Sequence, residues 1–242
     1  VTLKLEVHED LKWASVVAQR WIDFLDGRPA ARLCLPTGET PRPLYALSSP
    51  EIDLSSATVF LLDEFDLPRG STARCDTMLQ RDLLVSLSAP PAALDHLDVN
   101  APDKVAECAR YDASISDGGL DLTLLGLGGN GHLGLNEPGS SVDSPTRVVD
   151  LARATTQAAT RYDPDARPVR GMTLGMHRIL ESDEIWLLVT GSHKAAILER
   201  MFVGPIGSDL PASYLRNHPN VTVLADDSAA AGLQEAAASA TR

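Results

Sequence analysis

Short apolar runs alternate along this chain with stretches in which apolar residues recur every three or four positions. Residues 9–26 place Leu11, Ala14, Val17, Trp21, Phe24 and Leu25 on one helical stripe, and Asp26-Gly27 supplies its stop. Residues 32–35 read as a short buried strand. Pro36 to Pro41 follow as a turn into a helix, with Thr40 expected as the N-cap and Pro41 at the first helical position. Apolar runs at 58–63, 122–127, 185–190 and 221–225 predict four more strands. Segments 75–87, 102–116 and 192–202 predict helices, and an alanine-rich helix is expected from about residue 228. Short apolar strands separated by helices argue for a parallel sheet buried on both faces. The expected architecture is a Rossmann-like three-layer α/β sandwich, mostly parallel, in one domain spanning 1–242.

Composition narrows the partners. With 242 residues, 44% of them hydrophobic, the chain has enough apolar material for a sizeable core. Its formal charge of −12 repels phosphate backbones and anionic lipid, so no nucleic acid and no membrane is expected as a partner. No apolar run approaches the roughly 20 residues of a membrane helix. The first ten residues are charged and alternating, unlike the apolar block of a secretory signal. Cys34, Cys75 and Cys108 are an odd set without a CxxC pair, as expected of free thiols in a reducing cytoplasm.

In an open parallel sheet, ligands bind beyond the carboxyl ends of the strands. Gly126 to Gly131 satisfies a GxGxxG pattern after a strand, but a dinucleotide site needs a helix to begin there. The following His132-Leu133-Gly134-Leu135-Asn136-Glu137-Pro138-Gly139 reads as a loop, which argues against such a site. That loop nevertheless gathers Asn130, His132 and Glu137, an imidazole with a carboxylate close enough in sequence to orient it. A polar loop whose histidine merely satisfies carbonyls would carry the same residues. Thr37-Gly38-Glu39-Thr40, between a strand and a helix start, forms a candidate anion cradle, or else an ordinary βα turn. Asp63-Glu64 closes the second run. Lys194 sits in the first turn of a helix that Ser192 is expected to cap, against the helix dipole unless an anion binds there.

These segments together resemble the glucosamine-6-phosphate deaminase family, within the glucosamine-6-phosphate isomerase/6-phosphogluconolactonase superfamily. The stretches that carry the likeness are LPTGETP (35–41), LLDEFDLP (61–68), LGLGGNGHLGLNEPGSS (125–141), TRY (160–162), MTLGMHRIL (172–180) and VTGSHKA (189–195). The resemblance implies deamination and aldose–ketose isomerisation of a 2-amino-2-deoxyhexose 6-phosphate, with neither metal nor organic cofactor. It matches Asp63 to the base that moves a proton between C2 and C1. His132 matches the histidine that assists ring opening, Glu137 is its carboxylate partner, and Asn130 lies beside them. Thr37, Gly38, Glu39 and Thr40 match the phosphate cradle, and Arg161 and Lys194 its cations. Glu64 and Gly131 complete the expected substrate contacts.

Three departures from the family pattern stand out: Glu39 where the cradle usually has glycine, Asn130 where an acid is usual, and Arg74-Cys75-Asp76 in place of a Ser-Tyr pair. A carboxylate at Glu39 would repel a phosphate unless it points away or is paired. Val149 stands where allosteric members carry a lysine, and their C-terminal extension is not expected, so no activation by N-acetylglucosamine 6-phosphate is expected. Two other functions fit the same residues, 6-phosphogluconolactonase-type hydrolysis and catalytically silent sugar-phosphate binding. The C4 epimer, and a monomer against a homo-oligomer, stay open.

Overall fold

A computed structural model of the chain describes residues 3–240; Val1 and Thr2, at the start of the alternating N-terminal stretch, lie outside them. The elements run β1 (Lys4–His8), α1 (Trp13–Asp26), β2 (Arg32–Leu35), α2 (Pro41–Ser48), β3 (Thr58–Leu61) and β4 (Asp63–Phe65). Next come α3 (Cys75–Asp82), β5 (Ala93–Asp95), α4 (Lys104–Ser116), β6 (Leu122–Gly126), β7 (Arg147–Asp150) and α5 (Arg153–Ala159). The last are β8 (Arg170–Thr173), α6 (Met176–Leu180), β9 (Glu184–Val189), α7 (Ala195–Val203), β10 (Val221–Asp226) and α8 (Asp227–Ala240).

Among the described residues, seven strands form one sheet in the order β1-β10-β9-β6-β2-β3-β5, and every pairing in it is parallel. Its inner strands are apolar on both sides, and the period of two sorts their residues between two cores. Leu33, Leu35, Val59, Leu61, Leu124, Trp186 and Leu188 face the core that α1, α2 and α3 cover. Cys34, Phe60, Leu125, Leu187, Val189 and Val223 face the other, beneath α4, α6, α7 and α8. The three-layer expectation therefore holds.

From β2 the chain winds outward through β3 and β5, then returns to β6 on the opposite side of β2 and winds the other way through β9 and β10. The loops after β2 and β6 consequently part from each other, opening a crevice at the carboxyl edge. They are the loops carrying Thr37–Thr40 and Asn130–Glu137.

The apolar run at 58–63 does not continue through Asp63. It breaks at Leu62, and Asp63 opens β4, part of a separate antiparallel sheet in the order β4-β8-β7. In that sheet Asp63 pairs with Thr173, and Thr173 with Arg147. Each of these short strands is interrupted by charged or polar residues, which hides them from a search for apolar runs.

Two expected caps differ as well. Thr40 precedes α2 in helical conformation, without a side-chain cap bond, although Pro41 does begin the helix. Ser192 lies in a 3-10 turn, Ser192–Lys194, and Lys194 itself occupies the N-cap of α7. Cys34, Cys75 and Cys108 are buried free thiols.

At the root of the crevice, the buried Tyr111 hydroxyl donates to the carbonyl of Leu61 at 2.5 Å, joining α4 to the end of β3. Tyr111→Phe leaves that carbonyl without its donor and should lower stability by about 1–3 kcal/mol in chemical denaturation.

Candidate active site

Asp63 and Glu64 are neighbours on β4, and alternation sends them to opposite sides. Glu64 is fully buried. Its Oε1 accepts from the backbone N–H of Phe65 at 2.9 Å and of Cys75 at 2.7 Å, and its Oε2 from that of Asp76 at 2.9 Å. Arg74 adds a guanidinium 3.6 Å from Oε2. Burial pushes this carboxyl up to about 7 against those bonds. The expected substrate contact at Glu64 is therefore corrected, because its oxygens are occupied by the amino end of α3 and face no open space.

Asp63 is only partly covered. Burial pushes its carboxyl up to about 6, while the Cys75 thiol, which donates to Oδ1 at 3.4 Å, and nearby His132 pull it back. The loop after β6 passes directly above: a Cβ placed on Gly134 would stand 3.3 Å from Asp63 Oδ2 and 2.9 Å from Thr173 Oγ1. Gly134 has φ +57°, so here both the backbone and the available space call for glycine.

His132 turns Nδ1 toward Glu137 Oε2 at 3.3 Å. A carboxylate can only accept, so Nδ1 carries a proton, and in the neutral ring the lone pair lies on Nε2. Asn130 holds the same Glu137 oxygen from Nδ2 at 2.7 Å, while its Oδ1 accepts from the His132 backbone N–H at 3.2 Å. The other Glu137 oxygen takes the Thr155 hydroxyl and the Ala152 N–H. Burial works against the charge on Glu137, but the bonds from His132, Thr155 and Asn130 outweigh it and hold the carboxyl at about 2. The ring itself lies flat against Gly128, where a Cβ would come within 2.3 Å of it.

Lys194 donates Nζ to the Leu127 carbonyl at 2.7 Å, tying itself to the end of β6. Burial and the like charge of Arg161 depress its basicity. Arg161 adjoins Tyr162, whose hydroxyl reaches within 3.1 Å of a Cβ position on Gly38. Gly38 has φ +111°, and Thr37 and Thr40 beside it are half-buried. Two cations thus converge by the candidate cradle, and among the described residues no carboxylate pairs with either. An anion is what such a site takes.

Glu39 is exposed, and Arg42 pairs with it at 2.6 Å. The repulsion expected of it is thereby met by an ion pair. Gly131 is also corrected: its N–H donates to Gly128 and its carbonyl accepts from Ala212. A Cβ there would strike Leu210 at 2.0 Å, so Gly131 serves the turn and leaves no backbone group for a ligand.

Sequence reasoning missed Thr155, Thr173, Asn136 and Arg147. Fully buried Asn136 donates to the carbonyls of Leu133 and Leu174, and Arg147 donates to its Oδ1 at 2.8 Å and to the Ser140 hydroxyl. These bonds fix the Gly128–Glu137 loop to the small sheet. Only Asn136 carried a sequence signal, as a polar residue inside a glycine-rich loop. A cavity of about 680 Å3 opens elsewhere, between α3, β5 and α4. Its Arg74 and Arg110 are already tied to carboxylates, and it shares no residue with the crevice.

A seven-stranded parallel sheet whose switch-point crevice joins a carboxyl and an oriented imidazole, beside a candidate anion cradle, defines an α/β enzyme. The chain belongs to the glucosamine-6-phosphate isomerase/6-phosphogluconolactonase family, whose model matches residues 10–224. A glucosamine-6-phosphate deaminase of Rhodopirellula baltica is 38% identical over 97% of this chain and 98% of its own length. Glucosamine-6-phosphate deaminase 2 of Bacillus subtilis is 37% identical over 88% and 90%. The solved structure of a monomeric glucosamine-6-phosphate deaminase superposes with a TM-score of 0.89 at 34% identity, covering 95% of this chain and all of its own. A 6-phosphogluconolactonase of Thermotoga maritima shares the fold, with a TM-score of 0.75 at 20% identity, covering 93% of this chain and all of its own.

Gly128 has an ordinary backbone conformation, so alanine is tolerated there except where its methyl meets the imidazole. Gly128→Ala should keep the fold and displace the ring. In histidine 1H–15N spectra, the His132 signal should lose the Nδ1–H bonded to Glu137; an unchanged signal would contradict the packing.

Proposed function

We propose that this chain is an aminosugar-6-phosphate deaminase, converting a 2-amino-2-deoxyhexose 6-phosphate and water into a ketose 6-phosphate and ammonia. The observation that carries this reading is the convergence of Asp63 and the Glu137-oriented His132 at one sheet edge, where Lys194, with Arg161 near it, is tied to the end of β6. The relatives' names favour the gluco epimer. The cytoplasm is the compartment for such a substrate.

Thr37, Gly38, Thr40, Arg161 and Lys194 bind the phosphate and fix the sugar's register. His132 Nε2 takes the proton of the C1 hydroxyl and delivers it to the ring oxygen as the bond from C1 to that oxygen breaks, leaving the open-chain aldehyde. Asp63 then takes the C2 proton. The electron pair moves into the carbonyl, whose oxygen takes a proton from water, an enolamine forms, and Asp63 returns the C2 proton to C1 while the nitrogen lone pair forms the C2 imine. The C2 imine left behind adds water and loses ammonia. An ionised base of intermediate pKa suits this step, since proton transfer is fastest when base and operating pH are matched.

The lactonase alternative is weaker. The loop after His132 reads Leu133-Gly134-Leu135-Asn136-Glu137-Pro138, the deaminase pattern, and the lactonase structure reported above shares only the fold.

A coupled ammonia assay on glucosamine 6-phosphate, galactosamine 6-phosphate and the 6-phosphogluconolactone tests the assignment directly. Ammonia release is expected from an aminosugar phosphate; lactone hydrolysis without it would overturn the reading. Lys194→Ala should raise KM roughly 10–100-fold with a smaller change in kcat, as for loss of a charge-assisted hydrogen bond made throughout the reaction. Glu39→Gly should change KM by less than about fivefold, because an exposed ion pair is worth only about 0–1 kcal/mol.

Asp63→Asn should lower kcat by about 10²–10⁴-fold and abolish exchange of the C2 proton in heavy water. Because Asp63 acts ionised, kcat should fall as pH drops through about 6. Surviving exchange in the variant would place the base elsewhere.

A further inference from the structure

Glu64, the middle residue of β4, does more than pair in its sheet. By accepting the Cys75 N–H at 2.7 Å it pins the first residue of α3, and with it the direction of the Cys75 side chain. The sulfur then lies 3.4 Å from Asp63 Oδ1. The side chain is almost fully buried. We propose that Cys75 is a positioning residue for the deamination base: its S–H holds Asp63 Oδ1 and favours the ionised carboxylate, leaving Oδ2 toward the crevice. The inference rests on the reading of Asp63 as the base.

Burial and the two flanking carboxylates, Asp63 and Glu64, raise the Cys75 thiol well above its ordinary value. It therefore stays protonated across the working range, a standing donor rather than a nucleophile. The Thr37 hydroxyl of the candidate phosphate cradle approaches the same sulfur. Cys75 thus touches both the cradle and the base.

The groups around Asp63 come from five elements. Cys75 stands on α3, His132 on the loop after β6, and Thr173 across the small sheet on β8. Cys34 on β2 and Tyr111 on α4 lie behind it, and both are uncharged, since burial raises each far above neutrality. Of these, Cys75 is the donor in contact with a carboxylate oxygen.

A thiol is a weak donor, so its loss should move the acid limb of kcat by a modest step. In Cys75→Ala the limb is expected to rise by about half to one pH unit. The rate then falls about three- to tenfold below the limb and by less above it. Cys75→Ser, with a shorter and stronger O–H donor, should return the limb to the wild-type position or below it. A loosened structure would lower the rate at every pH and would not be rescued by serine.

The experiment is kcat against pH for wild type, Cys75→Ala, Cys75→Ser and Asp63→Asn. An inactive Asp63→Asn with a coincident limb in wild type and Cys75→Ala overturns the inference alone. An active Asp63→Asn that keeps the limb overturns the base assignment and the inference together. The S–H stretching band of the resting enzyme gives a readout independent of turnover, assigned to Cys75 by its absence in Cys75→Ser. It should shift to higher frequency as Asp63 is protonated and in Asp63→Asn, where the acceptor is weaker. A band unmoved by either change overturns the inference.

Discussion

The Glu64 carboxylate has no contact with water, and the backbone N–H groups of Phe65, Cys75 and Asp76 enclose its oxygens. Two of those donors belong to the first turn of α3, which no side chain of its own N-cap residue satisfies. A buried acid thus completes a helix end, with the charge where the helix dipole favours it. Removing it would leave N–H groups stranded away from solvent, at about 1–3 kcal/mol each. Because Asp63 precedes Glu64 on the same short strand, anchoring one acid aims the other. The crevice geometry depends on this joint.

Around it, the site is divided between two kinds of support. The central sheet supplies direction: parallel strands bring the loops after β2 and β6 and the start of α7 to one edge. The small antiparallel sheet supplies depth, since Asp63, Thr173 and Arg147 stand in register across it. Thr173 accepts the Leu135 N–H, and Arg147 reaches Asn136, so the imidazole loop is carried by the strands that carry the carboxyl.

Electrostatics follow from this packing. Asp63 and Glu137 are both partly buried acids near His132, yet burial prevails at Asp63 and hydrogen bonding at Glu137. Two things differ: desolvation is the larger at Asp63, which meets one thiol, whereas Glu137 meets an imidazole, a hydroxyl and two N–H groups. One carboxyl is left near neutrality, able to exchange a proton, and the other stays ionised to orient the ring.

The sequence by itself determined the parallel core and the chemistry-bearing loops. Buried strands such as 122–127 and 185–190 are apolar but for one threonine each, and a loop such as Gly128–Glu137 announces itself by glycines that disfavour a helix. It could not reveal the small sheet, whose strands lack an apolar run, nor Thr155, which meets Glu137 from 18 residues away. Nor could local pattern decide between Asp63 and Glu64. Alternation says only that they face opposite ways. Which side is the helix end and which the crevice was decided when β4 left the main sheet and α3 packed against it, because that packing used the oxygens of Glu64 and left those of Asp63 beside open space.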